Sequence, residues 1–420
     1  MARGLSVVGA AAVSILISRS LGPSGRGTYV VPGILAAFVA TVFAGLSTAI
    51  ASAMLKENAG RGALRAAFIA AIPLVAVGIL TTSVLASAMH ETWAVPWAAA
   101  VLPFMAVSAI VNGYGYGVKN VRAVAVFAIA APVATLSLLA VGLSLHGRTP
   151  STAIPLWFAA NALVAIIGFA VVYATSRGLP RTKVKTWPFL VYALRVGATG
   201  IVSMLNYRIN VYIVAALTPH ADLGFYTTAV SAAETLLLVA QVSAIVTVPH
   251  IGSLPRDEAA QLTARCVRNN LVLVGACSIG LALVAQPIVA FLYGTAFLPA
   301  VAPLRILLIG MVPWSAASMI SSYYTLNGRR PQVALITAAA SAVASAGISF
   351  MLVPRIGLIG AAIATTVTYT FSVLVMVAYF SKETKIPPSR IFFFQREDLG
   401  GYRRLARSFT TPTTTTPSAT

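Results

Sequence analysis

Residues 119–148 read KNVRAVAVFAIAAPVATLSLLAVGLSLHGR. A predominantly apolar run, 123–145, lies between Lys119 and Arg122 on one side and Arg148 on the other. A helix of about 20 apolar residues crosses a hydrocarbon core of about 30 Å, so this run is predicted to span a membrane. The same pattern repeats along most of the chain.

Twelve such runs are predicted, which makes the chain an all-α membrane protein with about twelve transmembrane helices. The sequence of 420 residues is 58% hydrophobic and only 9% charged, so almost nothing is left for a soluble domain. The predicted spans are residues 5–18, 29–55, 66–89, 97–118, 123–145, 156–174, 189–217, 224–248, 271–292, 301–325, 332–353 and 358–380.

The basic residues are concentrated in every second gap between spans. Of 29 Lys and Arg residues, 23 are assigned to the side of the N-terminus, among them Arg195 near the start of its span. Arg208 and Arg305 within spans are assigned to neither side, and only four, Arg19, Arg26, Arg148 and Arg355, fall on the opposite side. Cytoplasmic loops carry the excess of Lys and Arg, so the chain is predicted to be a multi-pass protein of the plasma (inner) membrane with both termini cytoplasmic.

The net charge of +20 would indicate nucleic-acid binding in a soluble protein. Here it is spread along predicted cytoplasmic loops, where anionic lipid and the insertion machinery explain it, so membrane lipids and no nucleic acid are the expected partners. The sequence holds no nucleotide-binding loop, no His-Glu-x-x-His and no clustered metal ligands. We therefore expect no cofactor, no metal, no catalytic residue and no enzymatic activity.

Two segments far apart in the chain share a pattern. Residues 21–29 and 217–226 both run Leu-x-Pro, a few polar residues, then Gly-x-Tyr at the start of the next span. A second echo links 117–119 with 328–330. Gly and Pro punctuate loops in general, but two matches in the same order favour an internal repeat.

The repeat predicts two pseudo-symmetric six-helix lobes around a central cavity, as in transporters built from parallel repeats. Cys266 and Cys277 offer no disulfide framework. The predicted domains are an N-terminal lobe at 1–180, a C-terminal lobe at 181–385 and a basic, partly disordered cytoplasmic tail at 386–420.

Several motifs resemble one known family. They are residues 18–27 in the first lobe, and 205–210, 224–226, 327–330 and 354–362 in the second. On these motifs the chain resembles the oligosaccharide flippases, the polysaccharide biosynthesis and export proteins of the multidrug/oligosaccharidyl-lipid/polysaccharide superfamily. The resemblance implies a flippase that moves a lipid-linked saccharide from the inner to the outer leaflet.

Charged residues at bilayer depth are costly, so each is a functional candidate. Arg208 lies nine residues before Leu217 and Glu234 ten residues after Gly224. At 1.5 Å per residue both are about 14 Å from the outer rim, in consecutive antiparallel spans. Either they form an ion pair that docks the two helices, or Arg208 meets an anionic substrate while Glu234 takes a proton or cation.

The seventh predicted span also has a polar face. Arg208 is not part of it, because it lies about 220° around the helix axis from Arg195, the first residue of that face. Ser and Thr in spans are more often packing residues than ligands, but this alignment favours a wet cavity. The face holds Arg195, Thr199, Ser203, Asn206 and Asn210, and the eighth span has a matching stripe of Thr227, Ser231, Glu234 and Gln241.

A basic cavity suits a polyprenyl diphosphate, because guanidinium groups bind phosphate oxygens in pairs while sugars need hydroxyl and amide partners. Arg305 and Arg19 could form outer stations, although anchoring at the membrane interface explains them equally well. The predicted substrate-binding residues are Arg208, Arg195, Asn206, Asn210, Ser203, Gln241, Arg305 and Arg19, and Glu234 is the predicted ion-coupling residue.

The predicted function is export of a polyprenyl-diphosphate-linked oligosaccharide by alternating access, for surface polysaccharide biosynthesis, with other assembly proteins as further partners. A multidrug or other small-molecule exporter of the superfamily is the alternative, although such extruders typically hold a carboxylate within first-lobe spans, where Glu57 and Glu91 are predicted in loops. A membrane glycosyl polymerase is a third reading, but it would need a sizeable outer loop, and the outer gaps are short.

Overall fold

The computed structural model describes residues 2–56, 59–180, 182–328, 330–393 and 395. No β-strand occurs in these ranges. The helices are α1 (Ala2–Lys56), α2 (Gly60–Ala88), α3 (Val95–Gly117), α4 (Val121–His146), α5 (Pro150–Thr175), α6 (Thr186–Leu217), α7 (His220–Glu234), α8 (Leu237–Ser253), α9 (Arg256–Leu283), α10 (Ala285–Tyr293), α11 (Val301–Leu326), α12 (Pro331–Thr384) and α13 (Pro388–Phe392), with 3₁₀ turns at Thr92–Ala94, Ser176–Gly178 and Thr295–Ala300.

Nine helical segments of the described chain are long and apolar enough to cross a membrane. Two of them, of 53 and 54 residues, are about twice the length of one span and are kinked, α1 at Gly22 and α12 at Ile356 and Gly357. Divided at these kinks, they raise the number of spans to eleven, and α7 with α8 covers the remaining predicted span, the eighth, at 224–248. The all-α membrane fold is therefore confirmed.

The kinks replace two predicted gaps. Residues 19–28 were expected to form an outer loop, but α1 continues through them as helix on both sides of Gly22, which has φ 68°. Glycine adopts this positive φ without steric cost, and the ring of Pro23 cannot continue a regular helix. The helix resumes directly after Gly22, so the bend takes the place of the predicted loop.

The ninth predicted span, 271–292, has different bounds in the structure. Helix α9 starts at Arg256 and ends at Leu283, and α10 follows as a separate short helix. Arg265 and Arg268, predicted in an inner loop, therefore lie on α9. The apolar run continues through residue 292, so the sequence pattern alone placed the end too late.

The described chain groups into two compact units. The first holds residues up to Thr235, Gly280–Leu308 and Ala338–Thr368, and the second holds Leu236–Ile279, Ile309–Thr337 and residues from Tyr369 onward. This grouping leaves the predicted lobes, 1–180 and 181–385, as a prediction. The predicted tail, 386–420, lies mostly outside the described residues.

In the first unit α1 is the central helix, and it packs against α3, α6 and α7. Its buried face includes Leu35, Phe43 and Leu46. The second unit has its own core, in which Tyr323, Tyr324 and Phe380 form edge-to-face ring contacts.

Large apolar side chains also cover the outer surfaces of the helices. Ile72 is 70% exposed, Leu145 72% and Val343 74%. In water such surfaces would associate, whereas lipid tails accept them, so their number fits a multi-pass membrane protein. The cytoplasmic placement of both termini stays a prediction.

Candidate functional site

The two charges predicted at the same depth form an ion pair. Arg208 of α6 and Glu234 of α7 approach with Nη1 2.8 Å from Oε1, and Nη2 donates a hydrogen bond of 3.1 Å to Oε2. Oε1 of Glu234 is thus buried against the positive charge of Arg208. The Arg208 guanidinium also lies over the ring of Tyr207, 4.9 Å from its centre.

A second arginine, Arg26 of α1, is buried beside this pair. Only 3% of its surface is exposed. Its Nη1 donates to the carbonyl oxygen and the hydroxyl of Ser14, both at 2.8 Å, and to the hydroxyl of Ser18. Across the helix interface, Nε donates to Thr227 at 3.3 Å and Nη2 to Ser231 at 3.5 Å. The Ser and Thr stripe of α7 thus faces a cation.

All of these partners are neutral. Among the described ion pairs of the chain, none joins Arg26 to a carboxylate. A buried cation without a counter-ion is costly, and proteins keep such groups mainly where they act on a substrate or ion. Hydroxyls and a carbonyl solvate Arg26 but leave its positive charge without an opposite charge.

Arg26 and Arg208 line the same cavity, which has a volume of about 290 Å³. The cavity lies within the first unit, between α1, α5, α6 and α7. Its other polar or aromatic lining residues are Tyr29, Trp157, Tyr212, Thr227 and Ser231, and the remainder are small or aliphatic. The site therefore combines two guanidinium groups, several hydroxyls and an apolar wall.

Asn210, whose role in substrate binding stays a prediction, is buried in a side-chain network. Its Oδ1 accepts from Ser345 at 3.1 Å and from Ser349 at 2.6 Å. Its Nδ2 donates to Ser345 at 2.9 Å and to Thr365. The Thr365 hydroxyl also lies 3.3 Å from that of Tyr226. These contacts dock α6 and α7 onto the two arms of α12.

The rest of the predicted polar face divides into a buried and an exposed part. Asn206 is 8% exposed, and its Oδ1 has no donor among the described residues. Ser203 is exposed and donates to the carbonyl of Thr199 at 3.0 Å, and Arg195 is also exposed. None of them lines the cavity around Arg26, so their role in binding stays a prediction.

The two predicted outer stations contact helix ends. Arg19 donates through Nε to the carbonyl of Leu292 at 2.9 Å and through Nη2 to that of Phe291, near the end of α10. Arg305 donates through Nε to the carbonyl of Ala282 at 3.1 Å, near the end of α9. Cations at these carbonyls stabilise helix C-termini, and neither arginine lines the cavity.

The predicted stripe on the eighth span does not reach Gln241 on one continuous helix. Helix α7 ends at Glu234 and α8 begins at Leu237, and Thr235 and Leu236 form a turn between them. The predicted role of Gln241 in substrate binding therefore stays a prediction. Gln241 is half-buried and belongs to the second unit.

The sequence does not mark Arg26 as a site residue, because the Gly and Pro residues around it are typical of a loop. Ser14 and Ser18, four residues apart, share one helical face, but Arg26 follows beyond the bend at Gly22, so helical spacing does not connect it to them. Trp157 and Tyr29 carried no comparable signal, since aromatic residues are common in all spans.

The chain has the fold of several solved transporters. It matches a "multidrug resistance MATE family transporter of the MOP superfamily" in its inward-facing conformation with a TM-score of 0.73 and 15% identity, over 90% of this chain and 94% of that one. It also matches "Lipid II flippase MurJ" in an inward closed conformation with a TM-score of 0.73 and 16% identity, over 99% and 93%. A MOP superfamily transporter from Pyrococcus furiosus, described as having a binding pocket of reverse polarity, matches with a TM-score of 0.63 and 16% identity, over 91% and 93%.

No curated protein matches the chain. A family model does: residues 16–302 match the one described as "Polysaccharide biosynthesis protein", which is more than half of the sequence. That range contains Arg26, Arg208 and Glu234. The chain therefore belongs to the polysaccharide biosynthesis protein family, and its fold is that of the MOP superfamily.

Proposed function

We propose that this protein is a flippase that carries a polyprenyl-diphosphate-linked oligosaccharide from the inner to the outer leaflet of the plasma membrane for surface polysaccharide biosynthesis. The observation that carries the proposal is the buried Arg26, whose described partners are all neutral and which shares a cavity with Arg208. The chain belongs to the polysaccharide biosynthesis protein family, and this favours a saccharide as the transported substrate. The protein acts as a transporter and not as an enzyme.

The charge of the cavity suits a diphosphate. Arg26 contributes an unneutralised positive charge, and Arg208 contributes a second guanidinium that is shared with Glu234. Phosphate oxygens accept paired N–H bonds from planar guanidinium groups, and these charge-assisted bonds are about twice as strong as neutral ones. None of the described partners of Arg26 carries a negative charge, so a bound diphosphate would supply the counter-charge.

The size of the cavity indicates which part of the substrate it holds. Pockets that enclose a whole drug-sized ligand measure roughly 300–1,000 Å³. At about 290 Å³, this cavity fits a diphosphate with the first sugar ring rather than a complete oligosaccharide with its lipid. The hydroxyls of Thr227 and Ser231 and the ring of Trp157 offer polar and flat apolar contacts to that sugar.

The transport cycle is proposed to be alternating access, in which two repeats rock around the bound headgroup. Glu234 is the proposed coupling residue. Its buried Oε1 lies 2.8 Å from Nη1 of Arg208, so a proton or cation taken up by Glu234 would compete with this ion pair. Because Oε2 is bound to Arg208, a change at Glu234 would directly alter the position of a cavity arginine.

A multidrug exporter is the competing function, and the fold alone is compatible with it. The charge of the cavity argues against the export of cationic drugs. Among the described residues, Arg26 and Arg208 line the cavity, and the carboxylate of Glu234 pairs with Arg208. A membrane glycosyl polymerase would require a carboxylate or histidine at the cavity to act as base, and no such residue is among its described lining residues.

The proposal is tested in cells that depend on this protein for surface polysaccharide. Arg208→Ala should stop export and leave the lipid-linked precursor on the inner leaflet, and Arg208→Lys should rescue only partly because lysine lacks the planar fork. Arg148→Ala, at an exposed site, is the matched control. Normal export by Arg208→Ala at equal membrane expression would contradict the proposal and favour drug export.

A further inference from the structure

A second and larger cavity lies at the predicted cytoplasmic ends of α2 and α5. It measures about 1440 Å³ and shares no lining residue with the cavity around Arg26. No carboxylate is among its described lining residues. We call it the basic groove, because five cations line it: Arg61, Arg65, Arg177, Lys183 and Lys185.

The cations surround the mouth of an apolar surface. Phe68 and Ile69 follow Arg61 and Arg65 by one to two turns along α2 and so lie about 5–12 Å deeper. On α5, Phe169 precedes Arg177 by about two turns, and its ring meets that of Phe68 edge to face at 5.6 Å. Tyr173 stacks on Phe169 at 6.3 Å. The groove is therefore basic at one end and aromatic further in.

The walls of the groove are connected by hydrogen bonds. The Arg61 backbone N–H donates to the carbonyl of Pro180, and Arg61 Nε donates to that of Ser176, both at 2.9 Å. The guanidinium of Arg177 lies over the Tyr173 ring, 5.1 Å from its centre. These contacts hold the segment after α5 against the start of α2, so the cations are presented by a fixed scaffold.

The apolar members of the groove are open to the surroundings. Ile69 is 44% exposed, Phe169 43% and Tyr173 59%. On helices that cross a membrane such exposed residues face lipid tails. A free phosphate ion would use the cations and leave this surface bare, whereas a phospholipid would cover both.

We propose that the basic groove binds an anionic phospholipid of the cytoplasmic leaflet. The phosphate-bearing headgroup lies among Arg61, Arg65, Lys183 and Lys185, and an acyl chain runs along Ile69 and Phe169. The lipid is a resident ligand and is not transported, so this site is independent of the substrate cavity. Each cation near an anionic headgroup strengthens binding by about fivefold.

The test measures binding of phosphatidylglycerol to the purified full chain in a zwitterionic detergent, by native mass spectrometry and by the shift in apparent Tm. Phosphatidylcholine and inorganic phosphate are the comparison ligands. The variant combines Arg65→Gln, Lys183→Gln and Lys185→Gln and keeps Arg61, whose side chain bonds Ser176. The matched control removes three exposed cations elsewhere, through Arg122→Gln, Lys382→Gln and Arg390→Gln.

We expect phosphatidylglycerol to bind at least tenfold more tightly than phosphatidylcholine. The groove variant should weaken it by at least tenfold, and the control by less than about threefold. Equal binding of phosphatidylcholine, an equal Tm shift with inorganic phosphate, or unchanged binding by the groove variant would each overturn the proposal. If the triple variant does not fold, Arg65→Gln alone should weaken binding by about fivefold, and no weakening would be a contradiction.

Discussion

Gly224 of α7 lies directly against Gly27 of α1. A Cβ built on Gly224 would stand 3.3 Å from the Gly27 nitrogen and 2.0 Å from the carbonyl oxygen of Pro23. A Cβ on Gly27 would stand 1.7 Å from the carbonyl oxygen of His220. These glycines are the Gly residues of the two copies of the repeated Leu-x-Pro…Gly-x-Tyr pattern. Because neither glycine has a side chain, the backbones of the two copies can pack directly against each other. The contact brings Arg26 within reach of Thr227 and Ser231.

Gly224→Ala should therefore destabilise the protein. The added methyl group meets backbone atoms that cannot rotate away, and overpacking of this kind typically costs about 1–3 kcal/mol. The measurement is the apparent Tm in detergent. Gly280→Ala is the matched control, since nothing lies within 4 Å of a Cβ there and alanine favours helix. Equal Tm values for the two variants would show that the close approach is absent.

The Arg208–Glu234 pair can be separated from substrate binding by a double-mutant cycle. Arg208→Ala and Glu234→Ala should each lower the free energy of unfolding, and the double variant should lose less than their sum, because the pair couples by about 0.5–3 kcal/mol. Export is measured in the same variants. If the double variant regains export, Arg208 acts through the ion pair; continued loss shows contact with the substrate.

Glu234→Gln tests the proposed coupling role. Glutamine keeps the shape of the side chain but neither carries a charge nor takes up a proton, so transport should lose its dependence on the ion gradient while the protein remains folded. Transport is followed in proteoliposomes with and without a proton or sodium gradient. A Glu234→Gln protein with the gradient dependence of the wild type would leave Glu234 with a structural role only.

Asn210→Ala should reduce stability more than it reduces transport per folded molecule. The change leaves buried hydroxyls of Ser345 and Ser349 without their acceptor, and an unsatisfied buried group costs about 1–3 kcal/mol. Ser203→Ala, at an exposed position, should change stability by less than about 0.5 kcal/mol. A loss of substrate affinity by Asn210→Ala at unchanged Tm would contradict this expectation and support the predicted binding role.

The predicted topology is tested by cysteine labelling in a chain without Cys266 and Cys277. Arg148→Cys should react with a membrane-impermeant reagent from outside the cell, and Lys183→Cys should react only after the membrane is opened. Labelling of Lys183→Cys in intact cells would show that the orientation is the reverse of the predicted one and that the basic groove lies in the outer leaflet.

The features of the fold and site that could be predicted from the sequence are those that are determined within a single helix. Span number follows from apolar length, and the depths of Arg208 and Glu234 follow from the rise per residue. The number of spans and the depths of these two residues change little when a helix bound is wrong by a few residues. This is why the ion pair was among the predicted alternatives and is present in the structure.

The parts that were missed depend on how a helix ends or bends. The segment around Arg26 is rich in Gly and Pro and reads as a loop, but in the structure the helix bends at Gly22 and continues. The turn at Thr235 and Leu236 contains neither Gly nor Pro, so nothing in the sequence indicated it. Contacts across helices, such as those between Asn210 and Ser349, have no local pattern at all.

The central claim is that Arg26 and Arg208 hold a diphosphate, and direct binding tests it. Binding of a short-chain prenyl-diphosphate disaccharide to the purified protein is compared with binding of the same prenyl disaccharide joined by an ether in place of the diphosphate. The wild type should prefer the diphosphate by at least about tenfold, Arg26→Gln should abolish that preference, Arg26→Lys should keep part of it, and Arg148→Gln should keep all of it. Equal affinity of the wild type for the two ligands, or an undiminished preference in folded Arg26→Gln, would contradict the account.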